Sequence, residues 1–194
     1  MTDQISIDGS GLPKALLAAL MDQAQRSGVR RLALVGGVVR DVMLHHVHRD
    51  PWRDPPDLDF VLEGSCVDFV QHLREQFGDG RVPELHLHPQ FGTAELLVDG
   101  VLLDVACART EIYPAPGENP VVQLGSIEQD LARRDFTVNA MALLLQADGI
   151  HLLCDPHNGR EHLARRQLAF LHANSVADDP TRILRGARYG ARLG

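Results

Sequence analysis

Two aspartates one residue apart open the most chemically suggestive stretch of the chain, "DPPDLDFVLEG" (54–64), in which Asp57 and Asp59 lead into an apolar run. Successive side chains of a strand alternate between faces, so both carboxylates project to one side, where two hard oxygen donors can share a divalent cation. Aspartates also cluster at strand mouths as turn and solubility residues, and on this motif alone both readings stand. Asp104, in "VLLDVACA", is a carboxylate set among apolar residues in a later strand-like run. If buried it requires a cation or metal partner, which makes it a candidate third acid; the alternative is a solvent-facing position at a sheet edge.

Two further patterns suit anions. In "LVGGVVRD" (34–41) a short apolar strand ends at Gly36 and Gly37 and a helix follows. Without Cβ atoms the backbone N–H groups there can approach a phosphate, and the helix dipole favours negative charge. Arg40, one turn further on, can reach the same anion or pair with a neighbouring aspartate. In "DDPTRILRGARYGARLG" (178–194), Arg182, Arg185, Arg188 and Arg192 fall within an arc of about 120° at helical spacing, with Ile183, Leu184, Ala187 and Ala191 on another side. Planar guanidinium groups suit phosphates and base edges, although a charged stripe is equally the solvated face of a helix. His45, His46 and His48 do not fall on one face with ligand spacing, and the separated Cys66, Cys107 and Cys154 suggest neither a disulfide framework nor a zinc knuckle.

The elements that must position these residues are legible in outline. "PKALLAALMDQAQRSG" reads as a helix between Pro13 and Gly28, "RLALV" as a strand, "VVRDVMLHHV" as a helix, and "HRDPWRDPP" as a loop. Then come strand "LDFVLEG", helix "SCVDFVQHLREQFG" capped by Ser65, and three strands, the last two joined at "VDG". "EIYPAPGENP" reads as a loop, "GSIEQDLARRDF" as a helix with a capping box from Ser126 and Gln129, "MALLLQADGIHLLCDP" as a hairpin, and "EHLARRQLAFL" and the last stretch as helices. This order predicts a mixed sheet with helices, an α+β protein rather than a parallel repeat.

With 194 residues, 44% hydrophobic and 23% charged, the chain suits one globular domain with a small helical appendage. No secretory signal and no membrane span are evident, so a cytoplasmic protein is expected. The formal charge of −7 argues against a general polyanion binder, but the chain from Arg160 onward carries a net +4, so phosphate or nucleic-acid contacts are expected at the C-terminal end.

Taken in order, "LVGGVVRD", "DLDFVLEG", "FGTAELLVDGVLLDVACARTEIY", "DLARRDFTVNAMAL", "DPHNGREHLARRQLAFL" and "DDPTRILRGARYGARLG" resemble the head and neck of the class II tRNA nucleotidyltransferase and bacterial poly(A) polymerase family, from about Leu32 onward. The resemblance implies a polymerase β-like nucleotidyltransferase head over residues 1–150 and the start of a helical neck over 151–194, without the family's body and tail. It further implies that Asp57 and Asp59 bind Mg²⁺, and that Gly36, Gly37, Arg40 and Arg134 hold the incoming nucleotide. Asp104 would be a third catalytic acid. Asp179 and Arg182 would read the base, with Arg185 and Arg188 toward the nucleotide and its phosphates. The implied reaction adds C and/or A to the 3′ end of tRNA from CTP and ATP. Poly(A) polymerase, or a truncated nucleotide- or RNA-binding fragment without turnover, is the alternative, and partners such as a separate tail chain are open. The chain departs from the pattern at Asp178, where the family usually has Glu, in the longer linker ending at Pro56, and at Gly186 and Gly190.

Overall fold

The computed structural model describes residues 3–7, 10–51, 57–112, 114 and 121–193, with Val47 through its backbone only. The linker stretch 52–56 and most of the 113–120 loop named above lie outside the described residues. Strand β1 (Asp3–Ser6) precedes helix α1 (Lys14–Arg26), which presents Leu16, Leu17, Leu20 and Ala24 to the core at helical spacing and stops before Gly28, whose φ of +71° is the left-handed conformation glycine supplies. Strand β2 (Arg31–Val35) leads into α2 (Gly37–His48), and β3 (Leu58–Glu63) into α3 (Cys66–Phe77). Ser65 caps α3, its hydroxyl accepting from the Asp68 N–H at 3.2 Å. Strands β4 (Glu84–His88), β5 (Thr93–Val98) and β6 (Val101–Cys107) follow, the last two joined at Asp99 and Gly100, both at positive φ as a tight hairpin requires.

Beyond β7 (Arg109–Ile112) and β8 (Val121–Leu124) comes α4 (Ile127–Ala132), closed at its start by the expected capping box between Ser126 and Gln129. A 3₁₀ turn at Thr137–Asn139 precedes β9 (Ala142–Leu144), then β10 (Ile150–Cys154), α5 (Gly159–Ala164), α6 (Ser175–Asp178) and α7 (Thr181–Leu193).

Among the described residues one sheet runs β1-β10-β9-β2-β3-β6-β5-β4, and only the β3–β6 pair is parallel. The fold is therefore α+β with a mixed sheet, as expected. Alternate residues divide the sheet into two faces. Leu32, Leu34, Phe60, Leu62, Leu103 and Val105 pack with α1, α2 and α3 in the main core, while Ala33, Val35 and Val61 meet Ile127 and Leu131 of α4 on the other side. Asp59 and Asp104 have the parity of the second face. No helix among the described residues is long and apolar enough to cross a membrane.

Three local expectations change. The stretch "EIYPAPGENP" borders a two-stranded ribbon, β7 with β8, rather than a plain loop, because the pairing partners flank the part rich in Pro and Gly. β1, not foreseen at all, pairs with β10 at the sheet edge. The helix expected across "EHLARRQLAFL" ends at Ala164: Arg166 takes a φ of +54°, and Phe170 instead makes a β-bridge to Phe136 and stacks on its ring at 4.7 Å. Strand β10 sits inside the sheet between β9 and β1, so the sheet layer extends past residue 150 to Cys154.

Candidate active site

The parallel register sets Asp59 of β3 directly beside Asp104 of β6, which in turn faces Glu95 of β5, so three carboxylates form a row across the sheet. β6 is an interior strand, and Asp104 is half-buried rather than solvent-facing at an edge. Asp57 stands just before β3 and adds its charge. Burial, then the Asp57 charge, push the Asp59 carboxyl up to about 6, with Arg134 opposing and Asp104 adding to the rise. Burial also raises Asp104, with Asp57 and Glu95 contributing.

The Gly36–Gly37 turn lies against this acid row. Gly36 has φ +70° and ψ −136°, a region that is essentially glycine's alone. A Cβ there would sit 3.0 Å from Asp59 Oδ2 and 3.5 Å from Arg134 Nη1. Gly36→Ala is thus expected to cost about 1–3 kcal/mol of stability and to displace the Asp59 carboxylate. Thermal unfolding and calorimetric titration with Mg²⁺ should show a lowered midpoint and affinity reduced about tenfold or more; unchanged affinity would separate the turn from the site.

An open cleft of about 380 Å³ lies between this turn and α7. Gly36, Gly37 and Asp59 form its sheet side; Arg133, Arg134, Asp135 and Asn139 line the middle; Asp179, Arg182, Arg185 and Tyr189 close the helical side. The structure therefore brings together seven of the sequence candidates: Gly36, Gly37, Asp59, Arg134, Asp179, Arg182 and Arg185. A second cavity of about 290 Å³ over β5 and β6 shares Asp59, Arg133 and Arg134 and adds Asp104, Glu95 and Thr93.

Three candidates line neither cavity: Asp57, just before β3, Arg40 and Arg188. Arg40 is only 4% exposed, donates from Nε to Asp41 at 3.0 Å and from Nη1 to Asn139 Oδ1 at 2.9 Å, and lies behind the cleft with Nη2 3.4 Å from where a Gly37 Cβ would be. It braces the turn from below. Arg188 is exposed over the Tyr189 ring at 5.1 Å and lines neither cavity.

The arginine stripe of α7 is otherwise not a solvated face. Arg182 is buried, Arg185 bridges Asp135 at 2.9 Å and Asp179 at 2.7 Å, and Arg192 pairs with Asp41, whereas Ile183 and Leu184 are 57% and 75% exposed. The acids of the head draw the cationic side inward. Asp179 Oδ1 accepts from the Thr181 N–H and hydroxyl, and Oδ2 from Arg185. Burial alone would raise its carboxyl, but these bonds outweigh that and hold it below the usual range.

Sequence reasoning passed over several residues that build the site. Asp130 is fully buried and anchors both neighbouring arginines, accepting from Arg133 Nη2 at 2.7 Å and Arg134 Nη2 at 3.0 Å. Glu111 takes Arg133 Nη1 at 2.8 Å. Asn139 turns its Nδ2 into a buried position with no hydrogen-bond partner among the described residues, as does Arg182 with its Nε. The i, i+3 and i, i+4 spacing of Asp130 to Arg133 and Arg134 was a readable signal for the first; nothing in the sequence marks Asn139.

The acid row suits a hard cation. Among the described residues no three His, Cys, Asp or Glu side chains converge as a ligand group, but Mg²⁺ needs only one or two carboxylates when substrate phosphates and water complete its shell. The upward shift of Asp59 reflects burial first and then the neighbouring Asp57 charge, both of which a divalent cation offsets, and Gly36 leaves Oδ2 uncovered by any Cβ.

Paired acidic strands, a glycine turn and an arginine-lined cleft on a mixed sheet define a nucleotidyltransferase-type head. The chain belongs to the Poly A polymerase head domain family, whose profile matches residues 32–169. It is similar to the A-adding tRNA nucleotidyltransferase of Aquifex aeolicus strain VF5, with 39% identity over 84% of this chain and 18% of that protein. It is also similar to the CC-adding tRNA nucleotidyltransferase of Deinococcus radiodurans, with 42% identity over 91% of this chain and 45% of that one. The solved structure of a CCA-adding enzyme, apo form II, superposes with a TM-score of 0.82 at 31% identity, covering 99% of this chain and 44% of that chain. The chain thus spans less than half the length of these relatives.

Proposed function

We propose that the chain is the catalytic head and the beginning of the neck of a cytoplasmic tRNA nucleotidyltransferase that adds C and/or A to a tRNA 3′ end from CTP and ATP with Mg²⁺. The observation that carries this reading is the cleft itself, in which Arg134, Arg182 and Arg185 line the same space as the Gly36–Gly37 turn and Asp59. Planar guanidinium groups suit the phosphates and base edge of a nucleotide, and the carboxylate suits its metal ion. We place the head–neck division after β10, so that the sheet stays whole and α5 to α7 begin the neck.

Asp179 and Arg182 fit the role of base reader. Cytosine and adenine both offer an exocyclic amine beside a ring-nitrogen acceptor on the Watson–Crick edge. Three of the roughly four lone-pair sites of the Asp179 carboxylate are filled by Thr181 and Arg185, which leaves Oδ2 one acceptor site for that amine. The Arg182 guanidinium would donate to the ring nitrogen. Guanine and uracil reverse the pattern and leave both groups mismatched. Arg134, fixed by Asp130, and the backbone of Gly36 and Gly37 would hold the phosphates beside Asp59. Bound by Asp57 and Asp59, Mg²⁺ would polarise the phosphoryl oxygens and favour ionisation of the primer hydroxyl. Asp104 and the cavity over β5 and β6 would receive the RNA end.

Calorimetric titration with each of the four ribonucleoside triphosphates, followed by extension of tRNA lacking its 3′ terminus with each nucleotide separately, tests the reading. CTP and ATP should bind preferentially and extend the tRNA as CCA, CC or A. Extension of unrelated RNA by ATP alone would favour a poly(A) polymerase, and binding without extension a nucleotide-binding module.

A further inference from the structure

We propose that His172 is a positioning residue for base choice, holding the Arg182 guanidinium in its reading orientation from outside the nucleotide cleft; the proposal rests on the base-reading role given above to Asp179 and Arg182. His172 lies between α5 and α6, where its Nε2 is 3.3 Å from Arg182 Nη1 and its Nδ1 is 3.7 Å from Asp178 Oδ2. A guanidinium only donates, so Nε2 must be the lone-pair nitrogen and Nδ1 carries the proton, toward the Asp178 carboxylate. The remaining contact is from Arg182 Nη2, which donates to the Arg133 carbonyl at 3.3 Å.

These two acceptors engage the two terminal nitrogens separately and so fix the plane of the group. Each terminal nitrogen keeps one further N–H, and Nε, buried without a hydrogen-bond partner, is 3.8 Å from Asp179 Oδ2. A side chain 4% exposed whose two ends are tied is pre-organised to reject a base with the wrong pattern, because it cannot swing away from the mismatch.

His172 is not one of the residues lining the nucleotide cleft. It faces a separate cavity of about 450 Å³ together with Asp178, Thr110 and Gln129. Arg133 and Glu111 border both spaces. His172 therefore acts through Arg182 and not on the nucleotide, and with a side chain 37% exposed it can be replaced without opening the core.

The test measures Kd for CTP, ATP, GTP and UTP by calorimetry, with Mg²⁺, on the 194-residue chain and on His172→Leu, His172→Gln and Arg182→Ala. Leucine removes the acceptor, whereas glutamine retains an acceptor oxygen for Arg182 and a donor for Asp178. The expected result is that His172→Leu reduces the preference for CTP and ATP over GTP and UTP about tenfold, mostly by tolerating the wrong bases, at an unchanged melting temperature, and that His172→Gln restores it. If His172→Leu melts early, the glutamine variant alone decides: a preference kept by a side chain that shares only the donor–acceptor pattern supports the proposal, and one lost at wild-type stability overturns it. A folded His172→Leu with wild-type preference while Arg182→Ala loses it overturns the proposal and leaves the base-reading role standing. If Arg182→Ala itself changes nothing, the base-reading role falls and the positioning role with it.

Discussion

Asp59→Asn is expected to abolish the proposed Mg²⁺-dependent nucleotidyl transfer, a loss on the order of 10³-fold, or about 4 kcal/mol of transition-state stabilisation, while making the metal-free protein more stable. The two effects have one origin. Asp59 is held among Asp57, Asp104 and the sheet, and its carboxyl is raised from 3.8 to about 6. A group whose folded pKa is raised favours folding fully below its unfolded value and loses that contribution as pH rises through the folded one. At pH 8 the ionised Asp59 therefore destabilises the metal-free fold by on the order of 3 kcal/mol, and asparagine removes the charge. Denaturant melts in EDTA should place the variant above wild type at pH 8, with the gap closing as pH falls through about 6 and gone near 4. Added Mg²⁺ should stabilise wild type by mass action and leave the variant unmoved. A variant that is less stable at pH 8, or that still responds to Mg²⁺, would remove Asp59 from the metal site.

The second large effect is expected at Asp130, which touches no substrate. Its side chain is 1% exposed and accepts from both Arg133 and Arg134, as well as from the Arg109 backbone N–H at 3.4 Å. Removing one partner of a buried ionic cluster leaves the others uncompensated, so Asp130→Ala should cost about 3–5 kcal/mol. The side chains of Arg133 and Arg134 are 21% and 19% exposed, and their partial solvation puts the expected loss at the lower end of that range. Released from Oδ2, Arg134 no longer stands beside Gly36 and Asp59, and nucleotide affinity should fall by at least about tenfold. Chemical denaturation and calorimetry on the same preparation check both. Loss of stability below 1 kcal/mol would show that the arginines hold their places without Asp130.

Much of the site was legible because short-range rules govern it. Strand alternation pointed to Asp59 as a face residue of β3, although Asp57, paired with it by the same rule, stands before the strand; glycines marked the turn at Gly36, and hydroxyl residues with the right spacing marked the starts of α3 and α4. Arg40 was legible as a cation near the turn but not as a buried brace, since its burial depends on Asn139, 99 residues away, as well as on its neighbour Asp41. The early stop of α5 was equally hidden. Nothing local in "ARRQLAFL" forbids a helix, and the competing bridge from Phe170 to Phe136 forms only when the two segments are packed together.

By itself the sequence determined the α+β order of elements, the acidic strand mouth, the glycine turn and the arginine spacing of the last helix, because each depends on residues within a few positions of one another. Only the tertiary structure decided which of these meet. The parallel pairing of β3 with β6 turned Asp104 into a neighbour of Asp59, and the docking of α7 against the acids of the head turned the arginine stripe inward and left Ile183 and Leu184 outside. Both outcomes follow from register and charge complementarity between distant segments, which side-chain periodicity within any one segment does not contain.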